Sequence, residues 1–243
     1  MKLLKIALYL FVLTNLAACG DLKLDEDLFG NQDSSQDQFG GEPLALDSVT
    51  AAAVSDNVKK CKRTKKCRGM NLRYANLKYA DLDGADLRYA DLRYAKLDYA
   101  KLEQANLNYA KLQYADLDYA ELSGAKMQYA KVQYADLRYA EIYSTDMRYA
   151  NLNYANLNYA EGIAVKMQYA DINYATMRYA DLRMANMQYA DITYAHLGES
   201  DLRLANVQYT DFSHTGFMNT DLRSIKQGST KWTSARFLNS ALR

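Results

Sequence analysis

From Met70 onward the apolar and polar positions recur every five residues. Ala occupies numbers ending in 0 or 5, and Leu, replaced in places by Met, Ile, Val or Phe, occupies those ending in 2 or 7. The phase holds without insertion at least to Leu222, about 31 repeats. A period of five fits neither a helix, with about 3.6 residues per turn, nor the alternation of a long strand, so the chain must turn at every repeat. Self-similarity at a fixed period points to a solenoid.

The unit reads, for example, Ala75-Asn76-Leu77-Lys78-Tyr79 followed by Ala80-Asp81-Leu82-Asp83-Gly84. Ala-(Asp/Asn)-Leu-x-x resembles the signature of the pentapeptide-repeat family, and the resemblance covers about 150 residues. It implies an all-β, right-handed quadrilateral parallel β-helix with four repeats per coil and about eight coils. Ala and Leu of each repeat would point inward, leaving no room for an internal ligand or cofactor. At a strand spacing of about 4.8 Å, eight coils make a rod about 38 Å long.

Tyrosine usage supports four repeats per coil. The last repeat position carries Tyr at most repeats, but every fourth one departs: Gly84, Gln104, Gly124, Ser144, Ala164, Met184 and Leu204, spaced by twenty. Stacked in register, three corners carry tyrosine ladders, one of them Tyr74, Tyr94, Tyr114, Tyr134, Tyr154, Tyr174 and Tyr194, and one corner is bare. Two readings stand for the ladders: ring stacking that stabilises the rod, at roughly 0.5–1.5 kcal/mol per pair, or an aromatic surface for a glycan or other polymer.

The bare face varies from coil to coil. Arg183, Arg203 and Arg223 answer Asp181, Asp201 and Asp221 at one end, whereas Asp81, Asp83 and Glu103 at the other lack such partners. Between them Tyr143, Ile163, Ala164, Met184 and Leu204 form a candidate apolar contact patch. Variation supplies register, so a protein partner or a second copy of the chain is expected here. Gly162 occupies an axial position otherwise held by large apolar residues, and the enlarged Val165 and Thr145 are expected to fill the space. Gln227 breaks the axial pattern, so residues 225–243 read as a modified terminal coil that hides the open end of the 70–224 solenoid.

The N-terminus carries a different program. Lys2 and Lys5 precede or flank an apolar run, Ile6 to Leu13, too short to span the bilayer but suited to an export signal over 1–18. Leu16-Ala17-Ala18-Cys19 resembles the lipobox of bacterial lipoproteins, which implies a lipidated Cys19 and attachment to the cell envelope. Gly20 rather than Asp follows the cysteine, which favours the outer over the inner membrane. Residues 19–58 read as an acidic tether, with a short helix over about 48–58 that would be marginal alone. Residues 59–69 form a basic collar in which Cys61 and Cys67 are expected to pair as a disulfide, as suits an exported chain.

Charge and composition narrow the function classes. Lys plus Arg number 30 and Asp plus Glu 29, for a net charge of +1. That balance offers neither a basic surface for nucleic acid nor the dense negative surface of a DNA mimic. Some pentapeptide-repeat proteins imitate duplex DNA and protect topoisomerases, but here Lys96, Lys101, Lys111, Lys126, Lys131 and Lys166 stand where acids would be needed. The two His, 196 and 214, fall on different faces, and no nucleotide, nucleophile or metal motif is present. The sequence therefore reads as a non-catalytic, lipid-anchored rod, without cofactor or metal, that presents a surface to an envelope protein or glycan.

Overall fold

The computed structural model describes residues 48–240. The export signal, Cys19 and the tether up to 47 lie outside the described residues, as do 241–243.

Five residues suffice for one face because each repeat satisfies its own backbone. In Leu92-Arg93-Tyr94-Ala95-Lys96, the Leu92 and Tyr94 amides donate to the next coil, at Lys111 (2.7 Å) and Gln113 (3.1 Å). The Lys96 amide donates to Ala75 of the preceding coil (2.9 Å), and Ala95 closes a turn onto Leu92 (3.0 Å). The remaining amide, that of Arg93, is taken by the Asp91 side chain (3.4 Å). This last contact explains the preference for Asp or Asn before Leu, since a short carboxylate or amide reaches the amide two residues on. Where Lys stands there instead, as at Lys101 and Lys126, the stranded amide of Glu103 or Gln128 is accepted by Asp83 or Asn108 of the coil below, each at 2.8 Å.

The inter-coil bonds form parallel bridges between residues twenty apart, from Lys66↔Asp86 through Asp211↔Lys231. Each repeat contributes one bridging residue between turns, so extended strands are scarce. Among the described residues only β1 (Gly216–Met218) and β2 (Arg236–Leu238) are long enough to count as such, and they pair in the same register, Phe217↔Phe237. The axial Leu, Met, Ile and Val side chains are fully buried from Leu72 to Val207, and the Ala positions nearly so. Larger polar residues enter the Ala column only with a bond to make: Thr145, Thr210 and Thr220 donate to the carbonyls of Leu122, Met187 and Leu197 at 2.7–2.8 Å.

Gly162 is accommodated differently from the expectation. A Cβ placed there would lie 3.1 Å from two atoms of Ile142 and 3.2 Å from Leu182, so the axial residues of the coils on either side have closed over the gap. Val165 and Thr145 are not the nearest atoms; Thr145 is turned to its hydrogen bond with Leu122.

Both ends of the solenoid are covered. Helix α1 (Ser48–Thr64) crosses the boundary drawn at 58 between tether and collar, and carries Lys59, Lys60, Lys62 and Arg63 in its last turns. Val54, Val58 and Cys61 recur along one stripe of the helix and pack onto the core, which is why it is more than an isolated, marginal segment. Asn57 donates from its side chain to the Asn71 carbonyl (3.0 Å). Lys65, at φ 57°, ends the helix in the left-handed conformation. Cys61 is joined by a disulfide to Cys67, which fills the first axial slot of the solenoid, so the bridge lies inside the core. At the other end Phe212 stacks on Trp232 (4.9 Å) and Phe217 on Phe237 (5.0 Å), an aromatic plug over the last coils. Gln227 is turned out to solvent.

Candidate functional site

The corners of the solenoid are set by one backbone feature. Every last-position residue from Gly69 to Ser224 has φ between 54° and 68°, whether Tyr, Gly, Ser, Met or Leu. With the turn closed from Ala to Leu, this is the i+2 position of a type II turn, where Gly or Asn is the easy choice. A side chain there is strained by roughly 1–2 kcal/mol relative to Gly.

Three corners hold stacked rings. Tyr74 through Tyr194 form one column continued by His214, with ring centroids 4.6–5.0 Å apart. Tyr79 through Tyr179 form a second, ended by Glu199, whose carboxylate accepts the Tyr179 hydroxyl at 2.7 Å. Tyr89 through Tyr209 form the third. Interplanar angles run from 1° to 18°. Each ring inside a column is therefore covered on both faces by its neighbours, and what reaches water is the ring edge and the hydroxyl. A sugar that stacks on an aromatic needs a free ring face, which these columns withhold except at their ends.

The bare corner is a different surface on the same backbone. Ala164, Met184 and Leu204 adopt φ 58–62° like the tyrosines, so the absence of Tyr there is not a matter of chain geometry. Met184 is 57% and Leu204 56% exposed, while Tyr143, Ile163 and Ala164 are half-buried beside them. The apolar residues singled out in sequence thus lie on one side of the rod, on successive coils.

The charges of this face are sorted along it. Arg183, Arg203 and Arg223 each fold back on the Asp two residues earlier, with Nη2 to Oδ2 distances of 2.5–2.6 Å, and Arg183 and Arg203 also approach the Asp of the next coil at 3.8 and 3.6 Å. These guanidinium groups are already paired, and the Arg223 hydrogen bond holds the Asp221 carboxyl below its ordinary value. At the other end Asp81 does have a partner: Lys65, delivered by the end of α1. Asp83 accepts the Glu103 amide. Sequence spacing missed the Lys65 contact because the two residues are 16 apart and belong to different elements.

The middle of the face is where pairing stops. Glu121, Glu141 and Glu161 follow Lys101 in one bridged column, with Lys101 one coil from Glu121, and among the described residues none of the three carboxylates closes an ion pair with Lys or Arg. Burial, and then the charges of Glu121 and Glu161, push the Glu141 carboxyl above the usual glutamate range. A second acidic group, Asp98, Asp116 and Asp118, lies on a face between two tyrosine columns, with Lys78 on Asp98 at 2.8 Å and Arg138 4.0 Å from Asp118. Among the described residues no group of His, Cys, Asp or Glu is placed to hold a metal ion, and no helix is long and apolar enough to cross a membrane.

No curated protein matches the chain. Among solved structures it is similar to a trypsin-treated form of QnrB1, a plasmid-mediated fluoroquinolone resistance protein, at 12% identity and a TM-score of 0.50, over 72% of this chain and 88% of that one. HetL of Nostoc sp. strain PCC 7120, a pentapeptide repeat protein involved in regulating heterocyst differentiation, shares 24% identity over 74% of this chain and 92% of that one, with a TM-score of 0.45. The likeness to QnrB1 shows the fold alone. The model for pentapeptide repeats matches in eight copies, over 66–88, 71–108, 85–122, 105–141, 145–183 and 185–223, more than half of the 243 residues. The chain therefore belongs to the pentapeptide-repeat family.

Proposed function

We propose that this chain is an exported, non-catalytic β-helical rod, right-handed and quadrilateral as the family resemblance implies. It is held to the cell envelope by lipid on Cys19, with the outer membrane favoured, and it presents its bare face to a protein partner. The observation that carries the partner surface is the pair Met184 and Leu204: bulky apolar residues, exposed, at left-handed positions where neither stacking nor burial compensates for the strain. An observed outlier of this kind argues for selection by something outside the fold. The face also changes from coil to coil, so it defines one docking position where the near-identical ladders do not.

Two other readings are weaker. A glycan on the tyrosine ladders would meet ring edges instead of ring faces. DNA mimicry of the kind known in the family would need a continuous acidic surface, and Lys96, Lys101, Lys111, Lys126, Lys131 and Lys166 interrupt it. Envelope fractionation of the full chain and of Cys19→Ser, followed by crosslinking from position 164, tests the proposal. Release of Cys19→Ser from membranes and a discrete crosslinked protein support it. A Cys19→Ser chain that stays in the membrane pellet through a high-salt wash would remove the anchor, and crosslinks spread over all four faces would remove the partner surface.

A further inference from the structure

Many bridging acids on the rod are answered by an Arg two residues later, although Asp81, Asp116, Asp171, Asp191 and Asp211 are followed there by Asp, Asn, Thr or Ser. Seven such pairs close at 2.5–2.8 Å: Asp86–Arg88, Asp91–Arg93, Asp136–Arg138, Asp146–Arg148 and the three on the bare face. At Glu121, Glu141 and Glu161 the answering residue is replaced by Ser123, Tyr143 and Ile163. On this column the Asp–Arg pairing is absent over three consecutive coils, and two of the positions Arg would hold carry the half-buried Tyr143 and Ile163. Three stacked carboxylates one coil apart repel one another in the free rod. A cationic occupant relieves that repulsion.

Spacing specifies the occupant further. Ring centroids in the columns put successive coils 4.7–5.1 Å apart. An α-helix lying along the rod offers side chains at i, i+3 and i+7, about 4.5 and 10.5 Å along its axis at 1.5 Å per residue, which tracks two coils. An extended strand offers same-face side chains about every 6.6–6.8 Å and falls out of step within two coils. Beyond the three Glu the column continues as Asp181 and Asp201, each already paired with Arg, and the corners of those two coils carry the exposed Met184 and Leu204.

Resting on the partner reading above, we infer that the bare face receives a cationic amphipathic α-helix of about four turns, its Lys or Arg residues over Glu121, Glu141 and Glu161 and its apolar residues over Ile163, Met184 and Leu204.

The test uses the full chain carrying Cys19→Ser, so that no acyl chain contributes, and three labelled peptides read by fluorescence anisotropy. One is a lysine–leucine peptide at helical period, one has the same composition alternating at strand period, and one is a glutamate–leucine peptide at helical period. The helical lysine peptide should bind best. The triple variant Glu121→Gln/Glu141→Gln/Glu161→Gln should weaken it about tenfold or more and flatten its salt dependence. The control Asp116→Asn/Asp118→Asn, on another face, should change it less than about twofold. Circular dichroism establishes that each variant is folded. Equal binding of the strand-period or the glutamate peptide, or an indifferent triple Gln variant, would overturn the inference. If the triple Gln variant is indifferent while Ile163→Ser/Leu204→Ser abolishes crosslinking of the envelope partner, the face stands and the helix falls. If neither set has any effect, both fall. Dimerisation of the chain alone through this face, seen in sedimentation and lost in Leu204→Ser, would replace the helix with a second copy.

Discussion

Replacing Gly162 by Leu restores the family's usual axial residue, yet it should destabilise this chain. The backbone does not object, since Gly162 is not among the residues with positive φ. The obstacle is space. Carbon atoms in ordinary contact sit about 3.5–4.0 Å apart, and the first added atom would already be 3.1 Å from Ile142 Cγ1 and Cδ1 and 3.2 Å from Leu182 Cδ2. A Cβ alone needs a shift of a few tenths of an ångström, so Gly162→Ala should be close to neutral, the added burial and the lower unfolded-state entropy offsetting the crowding. Leu brings three further carbons into the same place and should cost about 1–3 kcal/mol. For a domain of this size that lowers the thermal midpoint by about 2–4 °C per kcal/mol. The assay is a double-mutant cycle in thermal unfolding with Ile142→Ala, which alone removes about 2–5 kcal/mol. In that background Gly162→Leu should become much less harmful, with a coupling of about 1–3 kcal/mol. A higher midpoint for Gly162→Leu alone would show an empty cavity, and additivity with Ile142→Ala would show that the two side chains do not share the space.

Further outcomes follow from the same structure. Burial and the flanking Glu121 and Glu161 raise the Glu141 carboxyl, so the folded chain holds that proton more tightly than the unfolded one does; the ionised group detracts from stability above its folded pKa, and the penalty lifts as pH falls through it. Glu141→Gln should therefore raise the unfolding midpoint at pH 7 and give no gain in acid, where the glutamate is itself protonated. Cys67→Ser opens the covalent link between α1 and the first axial slot and should remove about 2–3 kcal/mol from an entropic loop of this length, with hydrogen exchange accelerated in Ser48–Thr64 before the rest. Tyr114→Ala should destabilise more than Tyr114→Gly, since both lose the rings of Tyr94 and Tyr134 but only Gly is at ease at φ 61°; equal losses would mean that the corner strain is absent.

What the letters reveal is whatever repeats. The five-residue period gives one turn per repeat, and the missing tyrosines every twenty residues give the coil, because both follow from contacts made identically at every level. Features that depend on a single contact are not legible. The stripe Val54, Val58 and Cys61 looks like part of a marginal helix until the end of the solenoid is there to cover it. Lys65 meets Asp81 only because α1 ends where it does. Gly162 is filled from the coils above and below, by Ile142 and Leu182, and not by its neighbours along the chain, since axial side chains touch mainly at a separation of twenty. The apolar patch is visible in the sequence as a set of residues, whereas its sorting into paired and unpaired charge depends on which carboxylates Arg can reach.

The tyrosine corners illustrate how such a sequence balances strain against contact. Left-handed φ disfavours a tyrosine by about 1–2 kcal/mol, and each stacked pair returns roughly 0.5–1.5 kcal/mol. A ring inside a column shares two pairs, one with each neighbour, which amounts to about one pair per residue. The two effects are of the same size, so a lone tyrosine at such a corner is unfavourable and an unbroken column is about neutral. This makes continuity the condition for the column's existence. It accounts for ladders that run without a gap for six or seven coils and close on His214, which stacks 4.6 Å from Tyr194, or on Glu199, which binds the Tyr179 hydroxyl. Met184 and Leu204 stand under the same strain without rings to offset it. On the partner reading proposed above, contact with another molecule supplies that compensation, at the one corner where the fold's own stacking is given up.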